Sequence, residues 1–465
     1  MIWLYSLFGC WRSLRLRLTQ AHQSRWPWKP SKKRGPTYSR CDMQRLTWRL
    51  FIGFVVVGCL SKVSFAQQPL TWQQVRDKFA VTNPTLQAAR IGIDESRAHE
   101  ITAYLRPNPN LTTSMDYVHP FRSNGSLEDA QPVVAFSYLF ERMNKRGLRL
   151  ESAKKGTAIA ISQLADQERT LLFTLRSVFI QVLQQKAILA LTKENLAYYD
   201  NVLQVSTDRY KAGDIARIDL DRLQLQRVQF ESDMQTATVN LRTAKIQLLT
   251  LLNDRTPVEQ FDVTGSFDFS EQVPPLDEFR TIALETRPDL KAARQSIDQA
   301  RTNHQLAEAN SSTDPTVGID VGRFPQSTVP EPSAVSYMGV FVSIPLRIFD
   351  RNQGERLRTK LDIARSERVR NAVEAQLYGD VDSAYATLNS TLILLQPYKA
   401  KYLQQAVTVR DTMTFSYERG GASLLDFLGA QRDYRSVQMG YLNLIGSYFS
   451  AAAQLNLAVG REVIE

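Results

Sequence analysis

Two stretches of the chain place the same residue types at the same spacing: YKAGDIARIDLDRLQ over residues 210–224 and YERGGASLLDFLGAQ over 417–431. Tyr210 and Tyr417, Gly213 and Gly420, Ile218 and Leu425, Asp219 and Asp426, Gln224 and Gln431 correspond pair by pair. The chemistry open to such a motif is electrostatic: a carboxylate on a helix attracts a cation or pairs with a base one turn away. Histidine does not accompany it, and beyond residue 66 only His99, His119 and His304 occur, none with a second ligand three or four residues off. GxSxG, HExxH, P-loop and strand-to-helix GxGxxG patterns are absent as well. The sequence therefore predicts no enzyme, no cofactor and no bound metal.

Long helices position these motifs. From about residue 144 to 211 there is no proline, so a helix there would run roughly 100 Å at 1.5 Å per residue. Leu175, Val182, Leu189, Leu196 and Leu203 recur every seventh residue, with Leu171 and Val178 in the companion position. Val381, Leu388, Leu395, Tyr402 and Val409 do the same later, a pattern of coiled-coil packing, with Pro397 expected to kink that helix. Gly213 and Gly420 suit helix C-termini, and helical patterns resume over about 217–252 and 424–459. Each motif is thus the tip of an αα-hairpin. A simple turn would account for the glycines but not for the matched Asp and Gln on the returning helices.

The echo extends upstream. NPTLQAARIGIDESR (83–97) and RPDLKAARQSIDQAR (287–301) share eight of fifteen residues at an offset of 204, against 207 for the tips. One duplication with a small later insertion divides the chain into repeats over 67–269 and 270–465. Each repeat opens with an amphipathic helix, about 71–105 and 276–310, with Pro84 and Pro288 in an early turn. Two strands follow in each, LTTSMDYV (111–118) with PVVAFSYLF (132–140), and TVGIDVG (316–322) with VSYMGVFVSI (335–344), separated by polar loops.

The N-terminal part differs from all of this. Residues 1–42 form a basic extension, and MQRLTWRLFIGFVVVGCLSKVSFA over 43–66 reads as a signal peptide whose apolar run is too short to span a bilayer. Cleavage after Ala66 and lipidation of Cys59 are the two routes open, and both lead out of the cytoplasm. The two segments carry net charges of +8 and +3, so the formal +10 of the whole chain falls to about −1 after residue 66. Nucleic acid is thereby excluded as a partner. Cys10, Cys41 and Cys59 all precede Gln67, so no disulfide is expected in the mature protein.

Four strands beside helices too long for a globular domain pose a closure problem. A sheet in a membrane cannot leave its edges in lipid, and membrane barrels need at least eight strands. Two copies would supply eight and three would supply twelve; three leaves a lumen and matches a helical tube.

The order of helix, hairpin, long coiled coil and YxxGxxxxxD tip, given twice, resembles the TolC family of trimeric outer-membrane efflux ducts. LRPNPNLT (105–112), RPDLKAAR (287–294), IPLRIFDRNQG (344–354) and YERGGASLLDFLGAQR (417–432) carry the likeness, and the first and third are most similar to its heavy-metal cation branch. The resemblance implies a mainly α fold with a small β part. It implies a homotrimer forming a twelve-stranded barrel in outer-membrane lipid and a coiled-coil tube through the periplasm. The implied partners are a periplasmic adaptor and an inner-membrane pump of the resistance-nodulation-division (RND) class. Tyr210, Gly213, Asp214, Tyr417, Gly420, Gly421 and Ser423 would meet the adaptor, and Asp219 and Asp426 would line the periplasmic entrance. The family's second entrance acid would fall on Gly429, where this chain departs from the pattern. Asp426 is open to two readings, a charge ring across three copies or a surface carboxylate paired with Arg432. Drug efflux, type I secretion and a poreless coiled-coil adaptor are the alternative functions.

Overall fold

The computed structural model describes residues 68–118, 130–269, 273–324 and 335–464. The extension over 1–42, the signal peptide over 43–66, the three cysteines, His119 and most of both inter-strand loops lie outside the described residues.

Each predicted opening helix is two helices. Trp72–Thr82 (α1) is followed by Pro84–Tyr104 (α2), and Leu276–Thr286 (α5) by Pro288–Ala309 (α6). Proline has no N–H to continue the ladder and forces the residue before it to extended geometry, so the helix restarts instead of bending. Asn83 and Arg287 both take that geometry at ψ 119°. Asn83 caps α2 by accepting from Leu86 N at 3.1 Å and ties it down by donating to Leu251 O at 3.1 Å. Arg287, 4% exposed, is held instead by Asp289 and Asp380. The preceding threonines act alike: Thr82 donates to Leu252 O at 2.7 Å and Thr286 to Val459 O at 2.6 Å.

Strands Asn110–Asp116 (β1), Gln131–Leu139 (β2), Thr316–Arg323 (β3) and Ser336–Ser343 (β4) form one antiparallel sheet in chain order. The two repeats meet side by side at the β2–β3 ladder. Beneath it, buried Lys145 donates to Ser312 O at 2.9 Å and pairs with Asp314 at 2.7 Å, fastening one repeat to the other. Leu111, Phe136, Ile319 and Val340 form one cross-strand row, and all are exposed on the same face. The outer edges of β1 and β4 pair with no other strand among the described residues.

Lys145–Ala212 (α3) runs unbroken for 68 residues, about 100 Å, and Arg217–Leu251 (α4) returns along it. Gln353–Pro397 (α7) stops where Pro397 was expected to act. One π-helical turn, Tyr398–Tyr402, leads into Leu403–Glu418 (α8), and Leu424–Val459 (α9) returns. This turn overturns part of the expected heptad. Val381, Leu388 and Leu395 are fully buried, but Tyr402 and Val409 are exposed at 45% and 48%. Below the turn the inward residues become Leu403, Arg410 and Tyr417. A π turn takes up one extra residue, so the buried stripe moves on by one position.

Three apolar clusters result. One joins α5, α6, α7 and α9, a second joins α1, α3 and α4, and a third lies between the hairpin tips. Phe267 packs against both of the first two and stacks on Phe449 at 5.6 Å. Among the described residues no helix is long and apolar enough to cross a membrane.

Candidate functional site

At the first tip α3 ends on Gly213 at φ +85°, a left-handed conformation that a side chain would strain. Its N–H reaches Tyr210 O at 3.0 Å, and Asp214 N reaches Arg209 O at 2.9 Å. The second tip repeats the pattern at Gly420, φ +75°, whose N–H reaches Tyr417 O at 3.1 Å while Gly421 N reaches Ser416 O at 2.8 Å. Gly213, Asp214, Gly420, Gly421 and Ser423 are all exposed, a small-residue surface at one end of the molecule.

The tyrosines and aspartates share spacing but not surroundings. Tyr417 is 5% exposed and stacks on Phe427 at 4.9 Å within the tip cluster, beside Tyr199 and Leu223. Further partners come from the other repeat. Arg209 donates to Tyr417 O at 2.7 Å, and its guanidinium lies 5.5 Å from the ring. Burial raises the Tyr417 phenol above its ordinary pKa, Ser206 and Arg209 oppose the rise, and nearby Asp219 adds to it. Tyr210 is only half-buried and faces Arg217 of its own hairpin at 5.8 Å.

Asp219, half-buried, thus lies near Tyr417 of the second hairpin, whereas Asp426 is exposed in the first turn of α9. The Ser423 hydroxyl donates to the Asp426 carboxylate at 2.7 Å, and Asp426 N donates back to Ser423 Oγ at 3.2 Å. Arg432 pairs with its neighbour Asp433 at 3.5 Å, and Asp426 takes the Ser423 cap instead of the Arg432 partner that one of its two readings supplied. Around Gly429 the space is open.

Sequence reasoning missed Arg209 and Arg410. Arg410 sits 4.6 Å from the Tyr198 ring and 4.1 Å from the Tyr434 ring, bridging α8 to α3 and α9. The signal for Arg209 was present as a difference between the repeats, because Ser416 occupies the equivalent place beside Tyr417. His304 contacts Thr359 Oγ1 at 2.9 Å, and among the described residues no group of three His, Cys, Asp or Glu side chains could hold a metal.

A sheet with one apolar face, whose edges are unpaired among the described residues, is thus carried on two long hairpins. The pattern of outer membrane efflux proteins matches residues 75–254 and 280–461. The chain belongs to that family. The cobalt-zinc-cadmium resistance protein CzcC of Cupriavidus metallidurans is 26% identical over 402 residues, covering 85% of this chain and 91% of the relative. The outer membrane protein TolC of Escherichia coli is 20% identical over 428 residues, covering 87% and 85%. The crystal structure of CusC superposes with a TM-score of 0.69 at 16% identity, covering 84% of this chain and 92% of that one. This outer-membrane efflux protein is accordingly a mainly helical channel subunit with a small sheet, seated in the outer membrane and extending into the periplasm. Its family is one of passive channels rather than of enzymes.

Proposed function

We propose that three copies of this chain form the outer-membrane conduit of a tripartite exporter, passing heavy-metal cations delivered by an inner-membrane RND pump and a periplasmic adaptor. The observation that carries the reading is the sheet: an apolar face that suits lipid, and edges at β1 and β4, unpaired among the described residues, that lipid cannot satisfy. Edge-to-edge pairing of three copies gives twelve strands and removes every edge. Similarity to CzcC, a cobalt-zinc-cadmium resistance protein, supports metal cations as cargo.

The exposed glycines and short polar residues at Gly213, Asp214, Gly420, Gly421 and Ser423, with Tyr210 and Tyr417 bracing them, suit close approach by helix tips of an adaptor. Three chains would present six such tips around one mouth. Asp426, exposed and held in orientation by Ser423, is the carboxylate able to bias that mouth toward cations, with Asp219 behind it.

Deletion of the gene tests the cargo: lowered tolerance to zinc, cobalt or cadmium is expected, with drug tolerance unchanged. The reverse pattern would favour a drug exporter. Cross-linking in detergent tests the assembly, where a band at three times the subunit mass is expected and a monomer alone would sink the conduit.

A further inference from the structure

The two faces of the sheet differ in charge as well as polarity. On the face opposite the apolar one, register aligns Thr112, Ala135, Asp320 and Gly339 in one row. Asp116 and Asp320 are the only charged side chains on that face among the described strand residues, because Arg323 falls in the alternate phase with the apolar set. No lysine or arginine balances them there.

Glycine and aromatic pairing shapes the space around Asp320. A Cβ on Gly318 would lie 2.4 Å from the Phe341 ring, and one on Gly322 would lie 2.6 Å from Tyr337, so each ring covers a glycine of the neighbouring strand. A Cβ on Gly339 would lie 2.6 Å from Asp320 Oδ1, so the carboxylate too rests over a glycine. The Asp320 carboxylate has no hydrogen-bond or ion-pair partner among the described residues. The rings are folded aside and the charge is left uncompensated.

We propose that Asp320 makes the strand-walled part of the pore prefer cations over anions. The inference rests on the three-copy conduit, in which the polar face lines the lumen and three Asp320 carboxylates share one level. A charge ring in a wide aqueous pore acts by raising local counter-ion concentration, and salt screens it within about 10 Å at 0.1 M. It is therefore a second selective station, separate from Asp426 at the periplasmic mouth.

Reversal potentials of the purified protein in planar bilayers under a potassium chloride gradient test this. For Asp320→Asn the cation-to-anion permeability ratio should fall about twofold near 0.1 M, and less at 1 M. Asp320→Glu should retain the wild-type ratio, and Asp320→Lys should move the preference toward anions. Asp426→Asn, measured beside them, reports the other station. Pores of Asp320→Asn and Asp320→Lys with the wild-type ratio would overturn the role of Asp320 while leaving the conduit intact. Failure of the wild-type protein to form any pore would overturn the conduit, and the role of Asp320 with it.

Discussion

The first hairpin descends on an unbroken helix and the second on a broken one, although both descend from one ancestral pattern. Leu175 and Val381, in matching seam positions above the break, are 206 residues apart; Tyr210 and Tyr417 below it are 207 apart. One extra residue entered the second copy, and the turn Tyr398–Tyr402 is where the helix accommodates it. Accommodation elsewhere would have thrown the lower seam out of phase. Tyr398 stacks near Tyr441 at 6.4 Å and meets Tyr402 edge-on at 5.6 Å, while Lys399 reaches Asp268 at 3.4 Å, so side chains brace the break. Near-equivalent tips therefore tolerate unequal stems when the irregularity is confined to one turn.

The inequality can be probed at several levels. The largest contrast is expected at the helix junctions. Arg287→Met leaves Asp289 and Asp380 without their cation, a loss of about 3 kcal/mol, whereas Asn83→Ala removes one cap for about 1 kcal/mol. Thermal unfolding of the purified protein in detergent should rank them in that order; equal effects would mean the two junctions do the same job.

At the tips, Tyr417→Ala should destabilise by about 3 kcal/mol by emptying a packed site, and Tyr210→Ala by about 1 kcal/mol or less. Denaturant unfolding monitored by tyrosine and tryptophan fluorescence checks this, and reversal of the order would contradict the buried role of Tyr417. Removing Lys399 takes out the extra residue, so the turn should become ordinary α-helix while Leu403, Arg410 and Tyr417 keep their inward side, with stability changed by less than about 1 kcal/mol. A loss as large as that of Tyr417→Ala on that deletion would show that the turn does not merely absorb the extra residue.

The smallest effect concerns pH. Burial alone would raise the Asp254 carboxyl, but hydrogen bonds from Lys78 and Thr256 bring it down to about 2. Its folded pKa is depressed, so its contribution of about 1 kcal/mol is present above pH 4 and fades as pH falls toward 2. Asp254→Asn should flatten the stability profile in that window; an unchanged profile would assign the acid sensitivity to other carboxylates.

The strands, both long helices and both tips were legible because they rest on local signals: alternation at Leu111 to Tyr117, heptads from Leu175, and glycine at the left-handed positions 213 and 420. The offsets of 204 and 207 announced inserted residues but not where they sit, since a π turn has no composition of its own. Pro84 and Pro288 were seen, yet the restart of each helix depends on a partner for the preceding residue, Leu251 O or Asp380, more than ninety residues away. The role of Arg209 was hidden for the same reason: its acceptor, Tyr417 O, lies 208 residues downstream.

The first described helix also meets the segment that follows the last one. Trp72 Nε1 donates to Glu462 Oε1 at 3.1 Å and Arg76 pairs with Glu462 at 2.9 Å, while Asn456 clasps Val463 and Ile464. The described part of the polypeptide thus returns to its own first helix. A circularly permuted gene that begins with the second half and ends with the first would keep these contacts as neighbours in sequence, and it should still fold.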